Sequence, residues 1–188
     1  MAAIVALLGH QLLKSSSAPS AAAPATLNSL HRENREPPVA VDADDGVVPD
    51  GVTVLDDDIP AVANLDPELL KALRAAATDS GVAFRVNSGW RSPAYQNQLL
   101  HEAIATYGSE AEAARWVATA TTSPHVSGDA VDIGPSAAAA WLSEHGAEYG
   151  LCPLYRNEPW HYELRPAAVD HGCPRMYADP TQDPRMQQ

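Results

Sequence analysis

Behind Asp66-Pro67 the apolar side chains Leu69, Leu70, Leu73 and Ala77 recur at helical spacing, which predicts a helix running to Ser80-Gly81. From Val82 to Val86 the period changes to two, with Val82, Phe84 and Val86 alternating against Ala83 and Arg85. That strand delivers Asn87-Ser88-Gly89-Trp90-Arg91, and Ser92-Pro93 then caps a further helix. Ser109 and Glu112 stand in capping-box register and predict a helix over about 109–118. Ala130-Val131-Asp132-Ile133 is a short apolar run between Gly128 and Gly134 and reads as a buried strand. Ser136 is expected to cap an Ala-rich helix through Trp141 and Leu142 to about His145, broken by Gly146 and Gly150. In Trp160-His161-Tyr162-Glu163-Leu164, alternation sends Trp160, Tyr162 and Leu164 to one face and His161 and Glu163 to the other.

Lys14 to about Asp50 shows no such pattern. It is rich in Ser, Ala, Pro and Asp, too poor in large apolar residues to offset its ordering entropy, and is expected to be a disordered linker. The expected organisation is therefore a tail over 1–50 and one folded domain over 51–188. Ala2–Leu8 is apolar but far below the ~20 residues of a membrane span. It lacks a positive flank, although Ser17–Ala23 offers small residues suited to cleavage, so a secretory signal or its remnant is left open.

A chain of 188 residues supports one domain with a sizeable core. The formal charge of −12 argues against nucleic acid or anionic lipid as partners, since both reward clustered cations. Its acidic runs at 42–50 and 56–58 read as solvated surface. Aromatics are only 6%, and Trp90, Trp141 and Trp160 fall beside the polar motifs. Cys152 and Cys173 bracket the strand carrying His161 and lack the paired spacing of a structural zinc site. A disulfide between them is expected, and with it an oxidising, extracytoplasmic compartment.

The chemistry concentrates in Ser123–Gly134 and Glu158–Glu163. A catalytic zinc takes three protein ligands from His and Asp or Glu and leaves a vertex for water, and His125, Asp132 and His161 can supply them. A base is also needed, and both Glu158 and Glu163 qualify by type. Strand geometry favours Glu163, which shares a face with His161, and spacing alone does not decide. Arg91, at a strand end before a capped helix, suits a guanidinium aimed at an oxyanion. Tyr155, Arg156 and Tyr162 are candidates for a pocket wall, with core or surface equally open. His10, His31, His101, His145 and His171 have no carboxylate at ligand spacing and are expected not to bind metal.

Taken together, Ser123-x-His125, Asp132, Glu158-Pro159-Trp160-His161 and the upstream Ser88-Gly89-Trp90-Arg91-Ser92 with Gln96 resemble the zinc D-alanyl-D-alanine carboxypeptidase family of VanY and VanX types. The similarity covers roughly Val52 to Pro166. It implies zinc on His125, Asp132 and His161, Glu158 as the general base, Arg91 as the transition-state cation, and Ser123 and Gln96 at the substrate. Glu163 is left in a supporting or surface role. The resemblance also implies a small α+β domain with a central antiparallel sheet flanked by helices, shared with hedgehog-type domains. The implied reaction releases D-alanine from a peptidoglycan stem peptide ending in D-Ala-D-Ala. Rival readings are an endopeptidase, an L,D- or dipeptide-specific relative, and a non-catalytic wall-binding module that keeps zinc for structure.

Overall fold

A computed structural model describes residues 40–187. The apolar start, the small-residue stretch, His10, His31 and the tail assignment through residue 39 lie outside them. The chain runs through a single 3-10 turn at Ala43–Asp45, helices α1 (Pro60–Ala63) and α2 (Pro67–Ser80), and strand β1 (Arg85–Ser88). Helices α3 (Pro93–Tyr107), α4 (Glu110–Ala113) and α5 (Pro124–Ser127), strand β2 (Ala130–Gly134) and helix α6 (Ser136–His145) follow. A 3-10 turn at Gly146–Tyr149, strands β3 (Leu151–Pro153) and β4 (His161–Leu164), helix α7 (Ala168–His171) and two more 3-10 turns at Pro180–Gln182 and Pro184–Gln187 complete it. The four strands lie in the order β1-β2-β4-β3, each pair antiparallel, so the domain is α+β with a central antiparallel sheet flanked by helices, as expected.

Local sequence explains where the long helices start and stop. The Asp66 carboxylate accepts from the N–H groups of Glu68 and Leu69 at 3.0 and 2.9 Å, Pro67 occupies the first helical position, and Gly81 ends α2. Ser92 does the same for α3 by accepting from the Tyr95 N–H at 3.1 Å. One stripe of α2, Leu69, Leu73 and Ala76, packs with Ala138 and Leu142 of α6 onto Val131, Ile133 and Tyr162 of the sheet. Each leucine so buried contributes about 1.5–3 kcal/mol over leaving it in water. Alternation then obliges Asp132 and His161 to face the opposite side.

Several expectations are displaced. The strand predicted over 82–86 begins at Arg85 and ends at Ser88. Phe84 and Val86 are buried as their alternation requires, but they ladder with residues 52–54, and Val82 does not join the sheet. The helix predicted over 109–118 has its Ser109 cap but stops at Ala113. Beyond it the carbonyls of Arg115 and Ala118 accept from the side chains of Asn157 and Gln96, both at 2.8 Å. Pro135, not Ser136, holds the cap position of α6. Trp141 is partly buried and packs on Phe84 and Tyr149 against the core. Tyr162 is wholly buried and donates to the Ala139 carbonyl at 2.7 Å, which makes it a core residue.

Residues 42–45 pack against the start of α3. Asp42 caps the turn that follows it, and Asp45 accepts from both the backbone N–H and the hydroxyl of Ser92, at 2.8 and 2.6 Å. At the other end, Cys152 of β3 is bridged to Cys173, closing a loop with a sequence separation of 21. In the chain-entropy picture such a loop is worth about 3 kcal/mol. Replacing both cysteines by alanine should lower the unfolding free energy by that order in urea titrations. Thiol titration of the unfolded, unreduced wild type should find no reactive group.

Candidate metal centre

Three short segments deliver the site. Antiparallel register places Asp132 of β2 opposite His161 of β4, so the two side chains emerge on one face as cross-strand neighbours. His125 comes from α5, which must reverse into β2 within two residues. Gly128 allows this, with φ of +82° and a backbone so close to Asn64 that a Cβ would stand 2.5 Å from its carbonyl oxygen. Residues 124–127 form one helical turn that begins on Pro124.

The protons on the two imidazoles are fixed by their neighbours. His125 Nδ1 lies 2.8 Å from the Gly89 carbonyl, which can only accept, so the proton sits on Nδ1 and the Nε2 lone pair is free. His161 Nε2 lies 3.3 Å from Glu163 Oε1, which leaves the Nδ1 lone pair free. The free nitrogens stand 3.3 Å apart, and each faces Asp132 Oδ1, at 3.5 Å from His125 and 3.2 Å from His161. Three acceptors in a buried triangle repel one another unless a cation lies between them. Donors about 2.0–2.1 Å from a tetrahedral ion stand about 3.3 Å apart, which matches all three edges. Neutral imidazoles with one carboxylate fit zinc chemically as well. His125, Asp132 and His161 are the only residues among those described that form such a group.

Titration follows from the crowding. Burial, helped by the Arg91 cation, lowers His125, while Asp132 pulls weakly the other way. Burial alone would raise Asp132, but the two imidazoles outweigh it and hold the carboxyl far below its usual range. For His161 burial is again outweighed, here by Asp132 and Glu163, which raise it to about 9.

Around the triangle stand the other predicted residues. Glu158 is buried with its Oε2 4.0 Å from His161 Nδ1, and burial raises its carboxyl to about 7. It lies in the turn before β4, where its approach to the metal donors depends on no strand alternation. Arg91 donates from Nε to Ser88 Oγ at 2.8 Å, from Nη1 to Gln96 Oε1 at 3.0 Å, and from Nη2 to Asp132 Oδ2 at 3.3 Å. The guanidinium is thus locked beside the metal position. Gln96, expected at the substrate, is buried with both ends engaged, its Nε2 donating to the Ala118 carbonyl. Ser123 lines the recess, and its hydroxyl makes no capping hydrogen bond to α5. Glu163, expected to play a supporting or surface part, is wholly buried behind His161.

The recess over the three donors has a volume of about 150 Å³ and is walled by Trp116, Trp160 and Met186. Trp160 is 41% exposed, so it serves the recess and not the core packing its alternation predicts. A wider groove of about 840 Å³ adjoins it across Tyr155 and Trp160, and Arg85 and Arg156 are its charged lining groups. Nothing in the sequence singles out Trp116, Met186 or Arg185, because they reach the site through tertiary packing from segments without periodicity.

A buried His, Asp, His triangle with a second carboxylate and a fixed guanidinium beside it makes a candidate metal centre on one face of an α+β sheet. The sequence model of the family described as VanY, D-alanyl-D-alanine carboxypeptidase, matches residues 63–167, more than half of the chain, and the protein belongs to that family. A D-alanyl-D-alanine carboxypeptidase of Enterococcus faecalis (strain ATCC 700802 / V583) is 33% identical over 118 residues, covering 50% of this chain. The chain spans only 44% of that relative's length. VanYB, solved in complex with D-alanine-D-alanine, is 28% identical with a TM-score of 0.51, covering 57% of this chain and 74% of its own. The LdcB LD-carboxypeptidase is 24% identical with a TM-score of 0.51, over 66% of this chain and 70% of its own, and shares the fold.

Gly89 tests how the triangle is held. Its backbone lies so close to Ala61 that a Cβ would stand 2.0 Å from that carbonyl oxygen, and its own carbonyl orients His125. Equilibrium dialysis should find one tightly held zinc per wild-type chain and none for Asp132→Ala. For Gly89→Ala it should find affinity weakened roughly tenfold or more.

Proposed function

We propose that this chain is a zinc-dependent peptidase that hydrolyses the C-terminal peptide bond of peptidoglycan stem peptides and releases D-alanine. The observation that carries the reading is the acceptor triangle, whose edges suit one tetrahedral ion, with Glu158 and Arg91 beside it. A non-catalytic zinc module would need neither of those two groups. His125, Asp132 and His161 would hold the zinc, which supplies Lewis acidity and brings the pKa of an attacking water to about 7.

The remaining work falls to the protein's own side chains. Glu158 takes the proton of the attacking water and returns it to the leaving amine, a task suited to a carboxyl raised by burial to about 7. Arg91, held by Ser88, Gln96 and Asp132, offsets charge developing on the scissile carbonyl oxygen without having to reorganise. Gln96 acts through Arg91, and Ser123 offers its hydroxyl to the substrate in the recess. The adjoining groove gives room for the acyl side of the peptide, and Arg85 and Arg156 suit the carboxylates of a stem peptide.

The D,D-specific reading draws on family membership and on VanYB, which was solved with D-alanine-D-alanine. The Cys152–Cys173 bridge suits action outside the cytoplasm, where peptidoglycan lies. Among the described residues no helix is long and apolar enough to cross a membrane.

Mass spectrometry of muropeptides incubated with the purified protein should show pentapeptides losing one C-terminal alanine. Chelation should abolish that loss and zinc should restore it. Cleavage only of tetrapeptides, or of crosslinks, would overturn the D,D-carboxypeptidase reading. Glu158→Gln should keep its zinc while kcat falls by roughly 10²–10⁴. If Glu163→Gln shows that pattern and Glu158→Gln does not, the assignment of the base is wrong.

A further inference from the structure

The family match ends at residue 167, yet the chain beyond it returns to the metal centre. Arg185, in the last 3-10 turn, reaches the wholly buried Glu163 with Nη1 to Oε2 at 2.8 Å and Nη2 to Oε1 at 3.0 Å. Such a two-pronged contact fixes both the position and the plane of a carboxylate. Arg185 is itself held from behind by Asp183, which is 1% exposed and accepts from its backbone N–H, Nε and Nη2. Asp183 also accepts from the Tyr155 hydroxyl at 2.9 Å, and the Tyr155 ring lies 5.1 Å from the His161 ring. Arg165 adds one further contact to Glu163 Oε2, at 2.6 Å.

We propose that Arg185 is a positioning residue for the metal centre, acting through Glu163 to fix the tautomer and orientation of His161 from a segment outside the family-matched region. The geometry gives the reason. A carboxylate clamped by Arg185 presents Oε1 to His161 Nε2 as an acceptor only, so the ring must carry its proton on Nε2 and turn the Nδ1 lone pair to the metal. With the clamp gone, Glu163 keeps only the Arg165 contact to Oε2, so Oε1 can turn away and His161 loses the neighbour that selects this tautomer. Met186, the next residue, lines the metal recess, so the same turn that brings Arg185 in also forms part of the wall.

The proposal rests on the zinc reading and is tested on zinc binding and not on turnover. In the full chain, Arg185→Ala should weaken zinc roughly 10–100-fold in competition with a chromophoric chelator. Arg185→Lys, which keeps one charged donor, should recover part of that loss. A merely structural clamp would lower the melting temperature of the metal-free protein and leave zinc affinity alone. Affinity of Arg185→Ala within twofold of wild type therefore overturns the proposal, whatever happens to stability. Should Arg185→Ala fail to fold, the His161 Nε2–H resonance of zinc-loaded Arg185→Lys is compared with wild type. A displaced, faster-exchanging signal supports the proposal, and an unchanged one overturns it. Wild type that binds no zinc would instead sink the metallopeptidase reading itself.

Discussion

Three lone-pair donors, from His125, Asp132 and His161, face one another across 3.2–3.5 Å at the buried floor of the recess. Such an arrangement is costly in isolation and favourable around a cation, and much of the nearby structure exists to keep it from relaxing. Each donor has a partner behind it that removes its freedom to turn away. The Gly89 carbonyl holds His125, Glu163 holds His161, and Arg91 occupies the oxygen of Asp132 that the triangle does not use. These partners are held in turn by Ser88 and Gln96 on one side and by Arg165 and Arg185 on the other.

The sheet makes this possible because its two faces do different work. Val131, Ile133 and Tyr162 give one face to the hydrophobic cluster under α2 and α6, and that burial fixes the register of β2 against β4. Once the register is fixed, Asp132 has no choice but to stand beside His161, since a slip of one residue would turn the carboxylate into the core. The face that carries the metal donors is thus positioned by apolar packing on the side away from it. Close backbone approaches of Gly89 to Ala61 and of Gly128 to Asn64 then seat the Arg91 turn and α5 against α1 and the residue that follows it.

The charged shell behind the donors also separates two carboxylates of one type into two roles. Burial is the largest influence on both Glu158 and Glu163 and pushes each upward. For Glu158 nothing fully opposes it, and the carboxyl rises to about 7. For Glu163 hydrogen bonds from His161 and Arg185, with Arg165 adding its charge, outweigh burial and hold it down to about 2. A group that exchanges protons near neutrality suits a base, and one that stays ionised suits an anchor.

Much of this was legible in the sequence alone. The caps at Asp66 and Ser92, the buried run at 130–133 and the alternation at 161–164 are local patterns, and local backbone chemistry obeyed them. His125, Asp132, His161, Glu158 and Arg91 stood out because metal and acid–base chemistry need those residue types, and the two cysteines bracketing β4 implied their bridge. Alternation misplaced Trp160, because its exposure is set by the recess and not by the strand it precedes. Between Glu158 and Glu163 spacing alone could not choose, and strand alternation favoured Glu163 because it shares a face with His161. Which carboxylate approaches Nδ1 and which backs Nε2 depends on a turn and on an arginine more than twenty positions away. Residue types and short-range periods are written along the chain, so the sequence determined the elements and the donor set. Long-range contacts carry no period, so only the folded chain decided that Gln96 serves Arg91, that Glu163 backs His161, and that Arg185 completes the shell.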